Sequence, residues 1–491
     1  MNRSPSASCG ILVGVALCVG CAMTALSASS DVCGTWEPVP TPNVGNSVTR
    51  LTGVTALSAN DAWSVGYWRD EPAGSGSLVI HWDGSEWSEV SLPGTSHLGT
   101  APDTRGIDSA PNGDVWVAGS ITTSYPTHNL PLLMRRRGGS WDFVETIGLR
   151  PQREYPFGDR GGFAYDVAVL DDDDAWAVGL AAGYGDASSS SVPMALHWDG
   201  SEWTDVEVPL VANRHHELQS VVMIASDDVW AVGDYRNIAG TFRGVTYHWD
   251  GDEWTHVPSP IEQISQSGLE DIDASGPNDV WAIGGGDSGV VLMHWDGSSW
   301  SLAEPPPNSA SSLAVVGPDD VWAAGWDGYW HWDGSSWTEV PASVPGATYE
   351  IRSGGMDIVG ECDIWSVGFW TLADGITSFT LAERLEESTV SEVADATSVA
   401  SSWMSCPNPF HPGDTIELAA DASAARAVVL HDARGRVVRT IELAPVRDGD
   451  VRMVRWDGRT DAGAVAPSGM YFASAHLGST AVTRKLLLLG R

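Results

Sequence analysis

The stretch Asp61-Ala62-Trp63-Ser64-Val65-Gly66, followed after a variable loop by His81-Trp82-Asp83-Gly84-Ser85-Glu86-Trp87, decides the fold because it recurs along the chain. Asp-x-Trp-x-x-Gly occurs seven times, centred on Trp63, Trp116, Trp176, Trp230, Trp281, Trp322 and Trp365, at spacings of 41 to 60 residues. His-Trp-Asp-Gly-x-x-Trp follows at 81–87, 197–203, 248–254, 294–300 and 331–337, and has decayed to Arg135-Arg136-Arg137-Gly138-Gly139-Ser140-Trp141 in the second unit. Each unit reads as four short strands. An apolar stretch such as Gly53-Val54-Thr55-Ala56-Leu57 meets a polar turn, and Asp61-Ala62-Trp63-Ser64-Val65 returns. Leu78-Val79-Ile80-His81-Trp82 is the third strand. Asp83-Gly84 is expected to make a tight hairpin, since the pair tolerates the positive φ of a type I′ turn. Glu86-Trp87-Ser88-Glu89-Val90 completes the unit. Four antiparallel strands repeated seven times predict an all-β fold, a seven-bladed β-propeller over 31–385.

The seventh unit has no Gly-x-x-Trp strand after Phe379–Ala382, whereas Cys33-Gly34-Thr35-Trp36-Glu37-Pro38-Val39 resembles one. Residues 33–39 are therefore expected to close the seventh blade, which removes the open edge a circular array would otherwise leave. The repeat accounts for 19 of the 25 tryptophans, whose expected role is packing between blades. In architecture only, the array resembles secreted bacterial propellers of the kelch, BNR and YVTN kind.

Further out, composition sets limits. The 491 residues carry 26 Lys+Arg against 64 Asp+Glu, a net charge of −38, and Lys485 is the sole lysine. So acidic a surface argues against nucleic-acid partners and basic-patch membrane binding. The charge is uneven: residues 403–491 are net +2 and residues 31–402 net −41, which suggests a boundary near 400. Arg3, the apolar run Ile11 to Leu26 and small residues from Ala25 to Ser29 read as a signal peptide over 1–28. A lipoprotein signal ending at Cys21 is the open alternative. The expected location is secreted or cell surface, after export through the periplasm.

Residues 386–402, rich in Glu, Ser, Thr and Ala, read as a linker. Beyond it come Asn408-Pro409-Phe410, Val428-Val429-Leu430-His431-Asp432-Ala433-Arg434-Gly435-Arg436, Trp456-Asp457-Gly458-Arg459, Pro467-Ser468-Gly469-Met470-Tyr471 and Lys485-Leu486-Leu487. In this order the motifs resemble the Ig-like domain shared by the flagellar hook-capping protein and the C-terminal sorting domains of type IX secretion. His431 stands where that pattern has Tyr. The resemblance implies a small Ig-like β-sandwich over 403–491 that engages outer-membrane secretion machinery.

Chemistry-bearing motifs are sparse. Nucleophile-elbow, P-loop, Rossmann and zincin patterns are absent, as is the sialidase Asp box, so no catalytic residue, metal or cofactor is assigned. The repeated histidines are expected to act within their own blades, and the repeated aspartates to accept turn N–H groups. Asp171–Asp174 reads as a solvated turn. Cys33 and Cys362 fall in the same blade and are a candidate disulfide; Cys406 completes an odd set. One rim carries the residues that follow the repeated glycine: Tyr67-Trp68, Trp326 and Phe369-Trp370 in three neighbouring units. Arg50 and Arg352 lie thirteen positions before the repeated Trp. Aromatic faces stack on sugars and arginines pair with carboxylate or sulfate, so this rim is the expected ligand site. The expectation is a monomeric, non-catalytic binding protein for a glycan or protein ligand. The alternative is a carbohydrate-active hydrolase or lyase.

Overall fold

The second strand of each unit is built almost wholly of Ala, Val, Gly and Trp, a pattern for a strand covered on both faces. Val115–Thr122 and Asp363–Thr371 are buried nearly throughout. In the computed structural model each such strand lies between an inner strand and a third strand, with sheets packed above and below. The structure describes residues 33–387 except 45–46, 71–73, 93–102, 123–128, 145–160, 183–190, 212–214, 327, 343–350, 361 and 372–376. It further describes residues 404–488 except 406–414, 419–425, 433–435, 444–451, 467–468 and 478–479. The signal-peptide reading and nearly all of the linker fall outside these residues.

Seven four-stranded antiparallel units form the propeller. The inner strands, blade 1 to blade 7, are Val48–Ser58, Asp103–Ser109, Gly161–Val169, His216–Ala225, Gly268–Gly276, Ser312–Gly317 and Ile351–Gly360. The outermost strand of blade 7 is Cys33–Pro38, paired antiparallel with Ser378–Glu387 so that Trp36 faces Leu385. A single parallel bridge, Val48 to Ser378, joins blade 7 to blade 1.

Six of the seven junctions are alike, and at the other, between blades 5 and 6, Trp281 meets the third-strand Trp332 at 6.5 Å. The Trp of Asp-x-Trp in one blade meets an outer tryptophan of the next: Trp116 with Trp203 at 5.2 Å, Trp176 with Trp254 at 5.0 Å, Trp230 with Trp300 at 5.3 Å. Trp365 of blade 7 meets Trp87 of blade 1 at 5.1 Å, and Trp322 of blade 6 meets Trp36 at 5.8 Å. Edge-on rings of this kind bury large apolar areas and fix the angle between sheets.

The motif histidine lies over the motif tryptophan of its own blade, as His81 over Trp63 with centroids 4.1 Å apart. Its Nε2 contacts the motif aspartate: His81 with Asp61 at 2.8 Å, and likewise in four other blades. In blades 2 and 7 an arginine takes this place. Arg135 donates to Asp114 at 2.6 Å above Trp116, and Arg384 donates to Asp363 at 2.7 Å above Trp365. The repeated Asp-x-Trp aspartates thus receive a cationic or imidazole side chain instead of the turn N–H groups expected. Turn capping falls to the other aspartate, as when Asp83 Oδ1 accepts the N–H groups of Ser85 and Glu86. That loop has four residues between the paired Trp82 and Trp87, with positive φ at Gly84 alone, so it is not a type I′ turn. The carboxylate closes the longer loop, which removes the need for two left-handed residues.

Residues 404–488 form two sheets. One joins Met404–Ser405, Thr415–Leu418 and Arg452–Arg455; the other joins Val437–Glu442, Ala427–Asp432, Gly469–Leu477 and Thr480–Leu488. Their core centres on Trp456, fully buried, edge-on to Tyr471 at 5.0 Å, with Nε1 donating to the Arg459 carbonyl at 2.9 Å.

Candidate binding site at the channel mouth

The repeated glycine of the second strand positions the site. A Cβ on Gly66 or Gly179 would overlap the main-chain carbonyl of Arg50 or Phe163 on the inner strand, and one on Gly325 that of Ser309, just ahead of it. Close approach of the two backbones coincides with a register shift in the inner strand of blades 1–5 and 7. Such a bulge leaves one residue out of the ladder and re-aims its side chain. The residues concerned are Thr52, Arg105, Tyr165, Gln219, Glu270 and Gly354, and all six line one central channel of about 540 Å³ with Ser311 of blade 6. Each lies eleven positions before its motif tryptophan.

Chemistry is distributed unevenly around this mouth. On the side of blades 1 to 3, Tyr67 and Arg69 join Arg105 and Tyr165 in the wall. Arg69 lies over the Tyr67 ring at 5.1 Å and Arg105 over the Tyr165 ring at 4.8 Å. Arg105 is 45% exposed and 3.8 Å from Asp103, so its guanidinium keeps donors facing the channel. Burial and the charge of Glu217 push the Tyr165 hydroxyl far up, which keeps it a neutral donor. At the bulge position blades 4 and 5 contribute Gln219 and Glu270, and the equivalent positions of blades 6 and 7 hold the small Ser311 and Gly354.

Deeper in, a ring of buried carboxylates ties blade to blade. Asp108 accepts from Val169 N–H at 2.7 Å, Asp166 from Val221 at 3.0 Å, and Asp357 from Ala56 at 2.6 Å. Asp271 and Asp273 accept from Leu313 and Val315 at 2.8 and 2.7 Å. Burial pushes these carboxyls up, Asp108 and Asp271 to about 8, Asp273 to about 7, Asp166 and Asp357 to about 6. Neighbouring carboxylates add to the rise at Asp108, Asp271 and Asp273.

The rim residues expected from sequence are divided among different surroundings. Tyr67 lines the channel. Trp68 is half-buried over Gly76, where a Cβ would collide with its indole. Arg50 is drawn aside, its guanidinium 4.0 Å from the Phe369 centroid and its Nε donating to Ser378 Oγ at 3.2 Å. Phe369 and Trp370 are buried, with Trp370 stacked on Phe379 at 4.6 Å, so they pack the blade end and present no exposed aromatic patch. Arg352 pairs its backbone with Phe369; its side chain lies outside the described residues. Trp326, 38% exposed, lines a separate cavity beside Pro305, Pro306 and Pro307. Cys33 and Cys362 are joined as a disulfide with a Cα–Cα distance of 5.0 Å, linking the closing strand to the turn ahead of Asp363–Thr371. Sequence reasoning missed Arg69, Arg105 and Tyr165. For Arg105 and Tyr165 the signal was the position eleven before each repeated tryptophan, which varies freely within a constant frame; Arg69, six positions after Trp63, falls outside it.

Residues 412–480 match the FlgD Ig-like domain family. No curated protein matches the sequence. Among solved structures, the chain is similar to YCF48 bound to D1 peptide, at 16% identity and a TM-score of 0.45, covering 72% of this chain and 97% of that one. PorZ of Porphyromonas gingivalis, described as an essential bacterial surface component of the type IX secretion system, shares 15% identity at a TM-score of 0.45. There the likeness covers 89% of this chain and 59% of PorZ. A Hadza microbial sialidase shares 10% identity at a TM-score of 0.40, covering 72% and 95% of the two chains. By its own strand topology and this domain match, the chain joins a seven-bladed β-propeller to a FlgD Ig-like domain.

Proposed function

We propose that the chain is an exported, non-catalytic binding propeller that takes an anionic glycan at the channel mouth. The observation that carries this reading is the wall of blades 1 to 3. Two arginines over tyrosine faces line the channel there, in a chain of net charge −38. Guanidinium groups pair bidentately with carboxylate or sulfate, and tyrosine faces stack on sugar rings. Tyr67 belongs to this wall, whereas Trp68, its strand neighbour, packs over Gly76. The buried carboxylates below accept backbone N–H groups of neighbouring blades, a holding role distinct from acid–base catalysis. Residues 403–491 are assigned the delivery role, engaging outer-membrane secretion machinery so that the propeller works at the cell surface or beyond it.

The test is calorimetric titration with a uronic-acid oligosaccharide and its neutral counterpart, with reducing-sugar release followed in parallel. Expected is salt-sensitive binding of the acid form, weakened at least tenfold in Arg69→Ala/Arg105→Ala, without turnover. Equal affinity for the neutral sugar would overturn the ligand class. Sugar release abolished by one carboxylate substitution would overturn the non-catalytic assignment in favour of a hydrolase.

A further inference from the structure

Beside Tyr165, whose hydroxyl is 3.5 Å from Glu217, blade 4 departs from every other blade. The residue after the repeated glycine is Tyr67, Ser120, Leu180, Gly285, Trp326 or Phe369 elsewhere, and Asp234 here. Asp234 stands directly opposite Glu217 in the strand pair. Like charges in cross-strand register repel, a cost that a proton or a cation between them relieves. His215, immediately before the same inner strand, brings its ring to the pair. One donor atom from each of the three lies within 4.8 Å of the others, and His215 Nε2 is 3.3 Å from Glu217 Oε2. Neighbouring donors in a tetrahedral zinc site are separated by roughly 3.3–3.5 Å, given bonds of about 2.0–2.2 Å.

The surrounding groups orient these donors. Ser191 Oγ lies 2.7 Å from His215 Nδ1 and accepts the His216 N–H at 3.3 Å. In the tautomer whose Nδ1–H donates to that hydroxyl, Nε2 turns a lone pair toward the carboxylates, the form a metal requires. Gln219 donates to Glu217 Oε1 at 2.6 Å, and Tyr165 OH approaches Oε2 at 3.5 Å. Oδ1 of Asp234 is buried and accepts no hydrogen bond among the described residues. A buried carboxylate oxygen without a donor is expensive, and a bound cation supplies what is missing. Asp234 also lines a cavity with Gln219, Gln266, Gly268 and Glu270, which leaves a coordination position open to it.

From this geometry we infer that His215, Glu217 and Asp234 hold a divalent first-row transition ion of the zinc class, with Ser191 as the positioning residue behind the histidine. One nitrogen and two carboxylate oxygens with an open position suit Zn²⁺, and Co²⁺ as its spectroscopic substitute. The open position gives an anionic ligand group a second anchor, separated from Arg105 by Tyr165. The site stands without the glycan reading, since it rests on the protein's own donors.

The test uses the untagged full-length protein, stripped with chelator and titrated with Zn²⁺ alone by calorimetry. Co²⁺ absorption and the thermal midpoint serve as separate readouts. Expected is one equivalent of zinc, a tetrahedral Co²⁺ spectrum and a raised midpoint. His215→Ala and the isosteric Asp234→Asn should lose all three, and Ser191→Ala should weaken binding about tenfold. Asp172→Asn, in the exposed trio Asp171–Asp173, should change nothing. Wild-type protein binding no more zinc than Asp234→Asn, with both folded by circular dichroism, would overturn the assignment. So would zinc binding lost in Asp172→Asn and retained in Asp234→Asn.

Discussion

The blade junctions and the channel mouth are made by the same repeat and follow opposite rules. At the junctions each unit repeats the same contact, tryptophan against tryptophan, with a histidine or arginine over the ring and an aspartate bonded to it. At the mouth the same frame presents a different side chain from each blade, from Thr52 to Gly354. Burial explains the contrast. A fully enclosed ring leaves a cavity if changed, whereas a bulge residue contacts solvent and can vary at little cost. Stability should therefore reside in the repeated residues and recognition in the variable ones.

The largest expected effect is on ring closure. Trp36 is 1% exposed, stacked on Tyr329 at 3.9 Å and edge-on to Trp322. Deleting residues 31–40 should abolish the cooperative urea transition, because it removes the outer strand of blade 7 and exposes Ser378–Glu387 as an edge. Trp36→Ala alone should cost about 3–5 kcal/mol. An unchanged transition would show that the ring closes without this strand, and the comparison would lose its structural half.

Next comes the Cys33–Cys362 bridge, which spans 329 positions and fastens the same strand. Cys33→Ser should lower stability by about 2–5 kcal/mol relative to the oxidised protein, and reduction of the wild type should have the same effect. Thiol labelling of the purified protein checks the starting state. Three free thiols among Cys33, Cys362 and Cys406 would remove this term.

Much of this was legible in the sequence, for a physical reason. Packing between identical blades imposes identical residues, so periodicity in Trp, Asp and Gly writes the fold openly. The C-terminal sandwich was legible from motif order, with Trp456 and Tyr471 at its core. The mouth was harder to read. Its residues do not repeat, and the bulge that aims them becomes visible only when Gly66 is seen against the carbonyl of Arg50. Counting thirteen positions back from tryptophan selected Arg50, whose side chain turns to Phe369; counting eleven back would have selected Arg105 and Tyr165. Phe369 and Trp370 drew attention by size, but large aromatics at a strand end serve packing as readily as recognition.

The carboxylate ring lies between the two regions and gives the comparison a pH dependence. Asp108, Asp271, Asp273, Asp166 and Asp357 have folded-state values of about 6 to 8, raised chiefly by burial above the ordinary 3.8. A raised carboxyl binds its proton more tightly when folded, so its contribution is present at low pH and is lost as pH rises through the folded value. The thermal midpoint should be several degrees higher at pH 5 than at pH 8. Asp271→Asn should flatten this slope, separating the ring from general relief of the net negative charge. A slope unchanged in that variant would assign the effect to the surface.

The smallest effect on stability should accompany the largest effect on recognition. Arg105 is a bulge residue, 45% exposed, and its contacts are one tyrosine face and a 3.8 Å approach to Asp103. Exposed ion pairs of this length contribute little, and cation–π contact at such a site adds about 0.5–1 kcal/mol. Arg105→Ala should therefore shift the urea midpoint barely at all. For an anionic oligosaccharide the same change removes a bidentate partner in a partly enclosed channel, so affinity should fall at least tenfold, and less steeply with added salt. Arg105→Lys separates charge from geometry: it keeps the cation but loses the planar fork, and should recover only part of the binding. Full recovery by lysine would mean that the mouth acts as a point charge, without the paired donors proposed for it. Unchanged binding in Arg105→Ala, alongside loss in Trp326→Ala, would move recognition to the proline-lined cavity of blade 6 and leave the channel as a packing seam.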